Sequence, residues 1–347
     1  MRKAKKILII AGCALLAAAV ILFCGGMSAA GWDFSALGTV HYEERTFTAE
    51  EEVRSVTVRY ETADVCVRFD ENAERARVLY PVREGGTVHV SLQDGALSIE
   101  EETKFTFGSL FQWDLESPQL TVELPAGTAC ALDIETDGDI AAEGSAPAAA
   151  VRLASGNGDV RAAGLHAADA EFSSANGDVA LEEVQAETVR ARSDNGNVTA
   201  RGTAAETLAC RSSNGNVTLE NVTAATLEAG SANGDVILGG EVRAGVFTAE
   251  TDNGGIRSAE GARLAADRAA CRTDNGTIRL QGTTDVQEFT AETRTGDIRI
   301  LALADGQQAY TLFLNTDTGR ANLPSGGSGA RRLTAQTDTG DIELQFS

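Results

Sequence analysis

The sequence predicts an all-β chain: a single-stranded β-solenoid of about eleven coils, each 19–23 residues long, with an N-terminal β cap and one transmembrane helix ahead of it. Three observations lead there. A glycine-centred corner recurs at Gly138, Gly158, Gly177, Gly196, Gly215, Gly234, Gly254, Gly276, Gly296, Gly319 and Gly340, and a near-constant period of that length marks a repeat array. Two residues past each glycine stand Ile140, Val160, Val179, Val198, Val217, Val236, Ile256, Ile278, Ile298, Ala321 and Ile342; all but Ala321 are β-branched, the type that suits a pleated, packed surface. Aromatic residues make up only 5% of the chain while Gly reaches 36, so the core must be thin layers of Val, Ile, Leu and Ala.

Residues 1–30 open with Arg2, Lys3, Lys5 and Lys6 and continue as an apolar run from Ile7 to Cys24. About 18 apolar residues just span a hydrocarbon core, and the basic cluster places the N-terminus in the cytoplasm. Two alternatives stand beside this membrane anchor. Ser28-Ala29-Ala30 offers a small-residue cleavage site for a signal peptide, and Ile10-Ala11-Gly12-Cys13 has the form of a lipobox, although the apolar run continues past Cys13. Each reading exports the remainder of the chain.

Residues 31–127 form a β-rich capping region. "VRSVTVRYETADVCVRF" alternates with period two, and its Thr62-Ala63-Asp64-Val65 is a worn copy of the corner with alanine in the glycine place. "VHVSLQDGALSIEEE" reads as a hairpin about Asp94-Gly95, and "LTVELPAG" as a further strand. Inserted here is "KFTFGSLFQWDLESP", which gathers a large share of the aromatics. Phe107, Phe111 and Trp113 are its candidate contact surface for a partner or a membrane; the alternative is a small core that plugs the end of the rod.

Residues 128–347 carry the repeat. Alternation past the β-branched column puts Leu181, Leu219, Leu238 and Leu280 inward, and a second strand approaches each corner with Val189, Leu208 and Leu227. One coil therefore holds two short strands and two turns, and coils at about 4.8 Å make a rod core of roughly 50 Å. A lone coil cannot bury its own apolar face, so stability comes from neighbours. Cys210 and Cys271 fall in a column otherwise filled by Ala191, Ala229, Ala249 and Ala291. They are three coils apart, about 14 Å, beyond disulfide reach, and read as small buried hydrophobes.

The corner itself carries Asn157, Asn176, Asn195, Asn214, Asn233, Asn253 and Asn275. Asn-Gly pairs tolerate positive φ, which suits a tight corner, and stacked amides can bond along the rod as a ladder. The next column supplies Asp139, Asp159, Asp178 and Asp235. Stacked carboxylates repel, and a divalent cation such as calcium would relieve them; Asn197, Asn216, Gly255 and Thr277 interrupt the column, so calcium is the weaker reading.

Charge excludes one partner class. The chain holds 51 acidic and 29 basic residues, with a net charge of −22, a balance that repels phosphate backbones and argues against nucleic acid. His41, His89 and His166 lie in unrelated contexts, and no nucleophile, metal-protease, phosphate-loop or dinucleotide motif is present, so no catalytic residue, cofactor or resident metal is assigned. The alternative is a cell-wall carbohydrate-active enzyme using paired carboxylates on a β-helix; no long loop walls a cleft for it.

On its recurring "TGDI" and "NGDV" corners, on Thr316–Gly319 and Thr337–Gly340, each reading "TDTG", and on an anchor leading into "GWDFSALGT", the chain resembles the bacterial β-strand-repeat family of putative adhesins. The resemblance covers most of the chain beyond residue 40. It implies an extracytoplasmic solenoid on the cell membrane and brings no catalytic residues; the expected role is a non-catalytic envelope binding or scaffold protein, with an envelope protein or glycan as partner. Asn replaces Thr before the glycine in most copies here, so the hydrogen bonding at the corners is expected to differ from that of the relatives.

Overall fold

The computed structural model describes residues 41–102, 118–144 and 147–347, together with scattered helical positions between 16 and 28. Of the anchor expected over residues 1–30 only those scattered positions are described, and the loop carrying Phe107, Phe111 and Trp113 lies outside the described residues. Among those described, no helix is long and apolar enough to cross a membrane.

The molecule is all-β, and the repeat forms a solenoid whose rungs pair in parallel. In the coil built from Gln185–Ser193 and Val198–Arg201, Val189, Ala191, Ser193, Val198 and Ala200 all point inward with at most 2% exposure. Each sits opposite its equivalent one rung on: Val189 faces Leu208, Ala191 faces Cys210, Ser193 faces Ser212, and Val198 faces Val217. The column from Ile140 to Ile298 is buried throughout. Period-two alternation along each strand thus becomes stacking of like on like between strands. Cys210 and Cys271 are buried in the alanine column, and burial pushes both thiols up to about 12, which leaves them protonated and unreactive.

At the N-terminal end the chain does not stack in sequence order. The strands are β1 (Tyr42–Thr48), β2 (Ser55–Tyr60), β3 (Asp64–Asp70), β4 (Arg77–Arg83), β5 (Thr87–Gln93), β6 (Ala96–Glu102), β7 (Gln119–Pro125), β8 (Ala131–Thr136) and β9 (Ile140–Glu143). β2 and β3 form a regular rung on β8 and β9, while β6 and β7 form the next rung outward, so the first coil in the chain is the second from the end in space. β5 closes one sheet as an antiparallel hairpin on β6, turning at Asp94 and Gly95 with φ 52° and 79°, the hairpin the sequence predicts. β4 and then β1 close the other sheet in antiparallel fashion.

The C-terminal end repeats the device. Strand Arg331–Thr339 pairs with Thr283–Thr295 on one side and with Tyr310–Thr318 on the other. The last coil of the chain is therefore slotted inside the one before it. Ala321, the odd residue in its column, lies on the terminal rung, exposed and joined to Ile342 by a single bridge, where no β-branched packing is required. Residues 322–326 fold over that end. Gly326 exchanges backbone hydrogen bonds with Leu312, and the Asn322 amide donates to Leu344 O at 2.9 Å and accepts from Leu344 N at 3.0 Å, imitating a peptide group. These contacts cover edges that would otherwise pair with another molecule.

Candidate functional site

The repeated corner is where three ladders of polar groups run along the rod. Innermost is a buried hydroxyl column that sequence periodicity passed over: Ser155, Ser174, Ser193, Ser212, Ser231, Thr251, Thr273 and Thr293, each three residues ahead of a corner glycine. The Ser193 hydroxyl donates to Gly177 O on the neighbouring rung at 2.8 Å and accepts from Gly196 N on its own at 2.8 Å. Ser155, Ser174, Ser212 and Ser231 do the same. The signal was present as the hydroxyl in "SxNG" and "TDTG"; beside Asn and Asp it looks solvent-facing until the turn is seen to fold it inward.

The amide ladder is present as predicted, with Asn176, Asn195, Asn214, Asn233, Asn253 and Asn275 each donating to the preceding Asn at 2.8–3.2 Å. The reason for the glycine differs from the expected one. Gly158 through Gly276 in this column are not in the left-handed region. A Cβ at Gly196 would stand 2.2 Å from Gly177 O, and the same clash recurs at Gly177, Gly215 and Gly234. Close approach of stacked backbones, not positive φ, excludes a side chain here. Left-handed residues occupy the opposite corner instead, at Gly164, Glu183, Gly202, Asn221 and Gly240.

The calcium candidates Asp139, Asp159, Asp178 and Asp235 do stack in one outward column. Their Oδ1 atoms are engaged, accepting from the backbone N–H of the next rung at Asp159 (2.8 Å), Asp178 (2.9 Å), Asn197 (2.7 Å) and Gly255 (2.9 Å) respectively. Arg161 and Arg257 take the second oxygens of Asp159 and Asp235. Hydrogen-bond donors and guanidinium groups thus offset the repulsion that an ion would otherwise relieve. Among the described residues no group of three or more His, Cys, Asp or Glu side chains is placed to hold a metal.

A concavity of 510 Å³ lies on the outer face beside the hydroxyl column. Ser213, Gly230, Ala232 and Thr248 line it, with Arg192 and Arg211 at one end, Glu250 and Asp252 at the other, and Glu228 between them on the rung of Gly230. Arg192 pairs with Asp194 and Arg211 with Glu228, both at 2.9 Å. The same face continues toward the C-terminus as a second depression of 410 Å³ between Arg272, Asp274, Glu292 and Arg294. No aromatic residue lines either one, so neither offers a sugar a ring to stack on. Sequence reasoning singled out none of these residues, because a mixed-charge column reads as an ordinary solvated strand face until its neighbours are known.

Comparison with known proteins places the chain. The family model described as Toastrack DUF4097 matches residues 53–258 and 201–347. Solved structures that resemble it include a "putative adhesin" from Bacteroides fragilis (10% identity, 87% of this chain and 96% of that one, TM-score 0.31). A "putative cell adhesion protein" from Clostridium sporogenes is 7% identical over 88% of this chain and 100% of its own, with a TM-score of 0.24. A "putative lipid binding protein" from Parabacteroides distasonis is 13% identical over 87% and 97%, with a TM-score of 0.31. No curated protein matches the sequence.

Proposed function

The chain belongs to the Toastrack DUF4097 family, and from that premise we propose that it is a non-catalytic binding and scaffold protein of the cell envelope. In this reading residues 1–30 anchor it in the cell membrane and the solenoid stands outside, serving adhesion or the sensing of envelope stress. The observation that carries the binding role is the architecture: parallel rungs stacked in register, leaving polar surface along the rod and, among the described residues, no deep cleft. An acidic surface of net charge −22 favours cationic, neutral or dipolar partners, protein or glycan. The anchor is supported by the basic head and the apolar run from Ile7 to Cys24.

The placement is tested with Ser213→Cys in intact cells. Cys66, Cys130, Cys210 and Cys271 are buried; with the exposed Cys24 replaced by serine, a membrane-impermeant maleimide should label the Ser213→Cys variant, and not its Ser213 parent, without lysis. Labelling that requires lysis would put the solenoid on the cytoplasmic side and end this reading. Crosslinking from intact cells with the same cysteine should capture a discrete partner, and turnover of isolated cell-wall glycan by the purified chain would overturn the non-catalytic assignment.

A further inference from the structure

The depression centred on Gly230 is a gap in an otherwise filled column. Across successive rungs of the outer face the register runs Arg192, Arg211, Gly230, Glu250, Arg272, Glu292. A glycine in a strand interior loses entropy on folding and packs nothing, so it marks a backbone constraint or a place where something else must approach. No constraint operates here. Gly230 is not left-handed, and an added Cβ would meet Glu250 O at 3.6 Å and Arg211 Cγ at 4.0 Å, which is ordinary contact. That is unlike Gly196 or Gly215, where a Cβ would collide with backbone at 2.2 Å. The fold tolerates a side chain at Gly230; its absence opens the 510 Å³ space.

The rim of that space is dipolar. Arg192 and Arg211 stand on adjacent rungs at one end, and Glu250 with Asp252 stands two rungs beyond Arg211 at the other. Two rungs are about 10 Å. The pairs Arg192–Asp194 and Arg211–Glu228 are exposed, and exposed pairs are worth under about 1 kcal/mol, so a ligand can displace them. We propose that this depression binds the two ends of a short peptide, its carboxylate on Arg192 and Arg211 and its ammonium on Glu250 and Asp252. An extended chain spans about 3.3–3.6 Å per residue, so three residues with free termini fit the separation. The small floor of Ser213, Gly230 and Ala232 admits the backbone and small side chains. This assignment rests on reading the solenoid as a binding protein and names a ligand class for it.

The test is calorimetric titration of the full-length chain in detergent micelles with tri-alanine. Saturable binding is expected in the range of about 0.1–1 mM, as befits an open, solvated site. N-acetylation and C-amidation should each weaken it at least about tenfold, the loss of one charge-assisted contact. Gly230→Val should abolish binding while raising the melting temperature, since valine is the better strand residue and meets no clash; this separates loss of the site from loss of the fold. Arg211→Gln should bind free and amidated tri-alanine alike. No saturation at tens of millimolar, equal affinity for blocked and free peptides, full binding by Gly230→Val, or uptake of zwitterionic phospholipid vesicles with tri-alanine inert would each overturn the proposal. Partner capture from intact cells that persists in Gly230→Val would sink the peptide site alone and leave the broader binding role standing.

Discussion

A single buried hydroxyl at each corner holds two rungs together. Ser193 is fully buried, donates to Gly177 O and accepts from Gly196 N, so Ser193→Ala strands a carbonyl and an N–H in a dry interior. We expect a loss of about 2–3 kcal/mol in urea unfolding for that one atom, whereas Ser193→Thr, the residue found at equivalent positions such as Thr251 and Thr273, should lose under about 1 kcal/mol. Glu183 makes the opposite case. It holds φ 54° in a column where Gly164 and Gly202 also sit left-handed, so Glu183→Gly should stabilise by about 0.5–1 kcal/mol, read as a rise in melting temperature. The hydroxyl is visible in the sequence as a letter, but its burial is not, because only the stacked backbone turns that side chain away from water.

The element that most depends on charge is the out-of-order C-terminal coil. Arg331, only 14% exposed, reaches Asp285 on the neighbouring rung at 2.8 Å and Asp305 in the preceding loop at 2.9 Å. The hydrogen bond from Arg331, followed by the charges of Arg331 and Arg263, holds the Asp285 carboxyl below its usual value. A carboxylate whose folded pKa is depressed adds stability above its unfolded value near 3.9 and loses it as pH falls through the lower folded value. Denaturation of this coil, followed by loss of hydrogen-exchange protection over Arg331–Thr339, should therefore set in below about pH 4. It should shift toward neutral pH in Asp285→Asn. Arg331→Met should cost about 2 kcal/mol, between the values for exposed and for buried pairs. The alternating pattern of "LTAQTDTGDIEL" identifies a coil; nothing in it says that the coil sits inside Tyr310–Thr318 rather than beyond it.

For the whole molecule, stability is a sum over rungs and the interfaces between them. Deleting residues 158–176 joins Asn157 to Gly177 and preserves every column, so the shortened chain should fold, keep its β-sheet circular dichroism and lose only a little stability. Deleting residues 158–166 shifts the register by part of a coil and should leave the protein aggregated, since inward and outward sets then exchange faces. The ends behave differently. Asn322→Ala removes the amide that occupies both polar backbone groups of Leu344, and we expect a concentration-dependent dimer by light scattering as that edge becomes available.

Local sequence settles the coil: its length, its two strands, the inward column from Ile140 to Ile298 with Ile342, the alanine and cysteine layer, and the Asn ladder. All of these follow from local periodicity, and in a solenoid the local period is also the tertiary neighbour. Tertiary structure alone decided three further things. The corner glycines from Gly158 to Gly276 answer to backbone 19 to 22 residues away and not to their own φ. The end rungs exchange places because hairpins and a long loop, outside the period, set where the chain re-enters the stack. The groove at Gly230 exists because side chains from four successive rungs meet around it, and a pattern read along one strand does not register what stands beside it on the next.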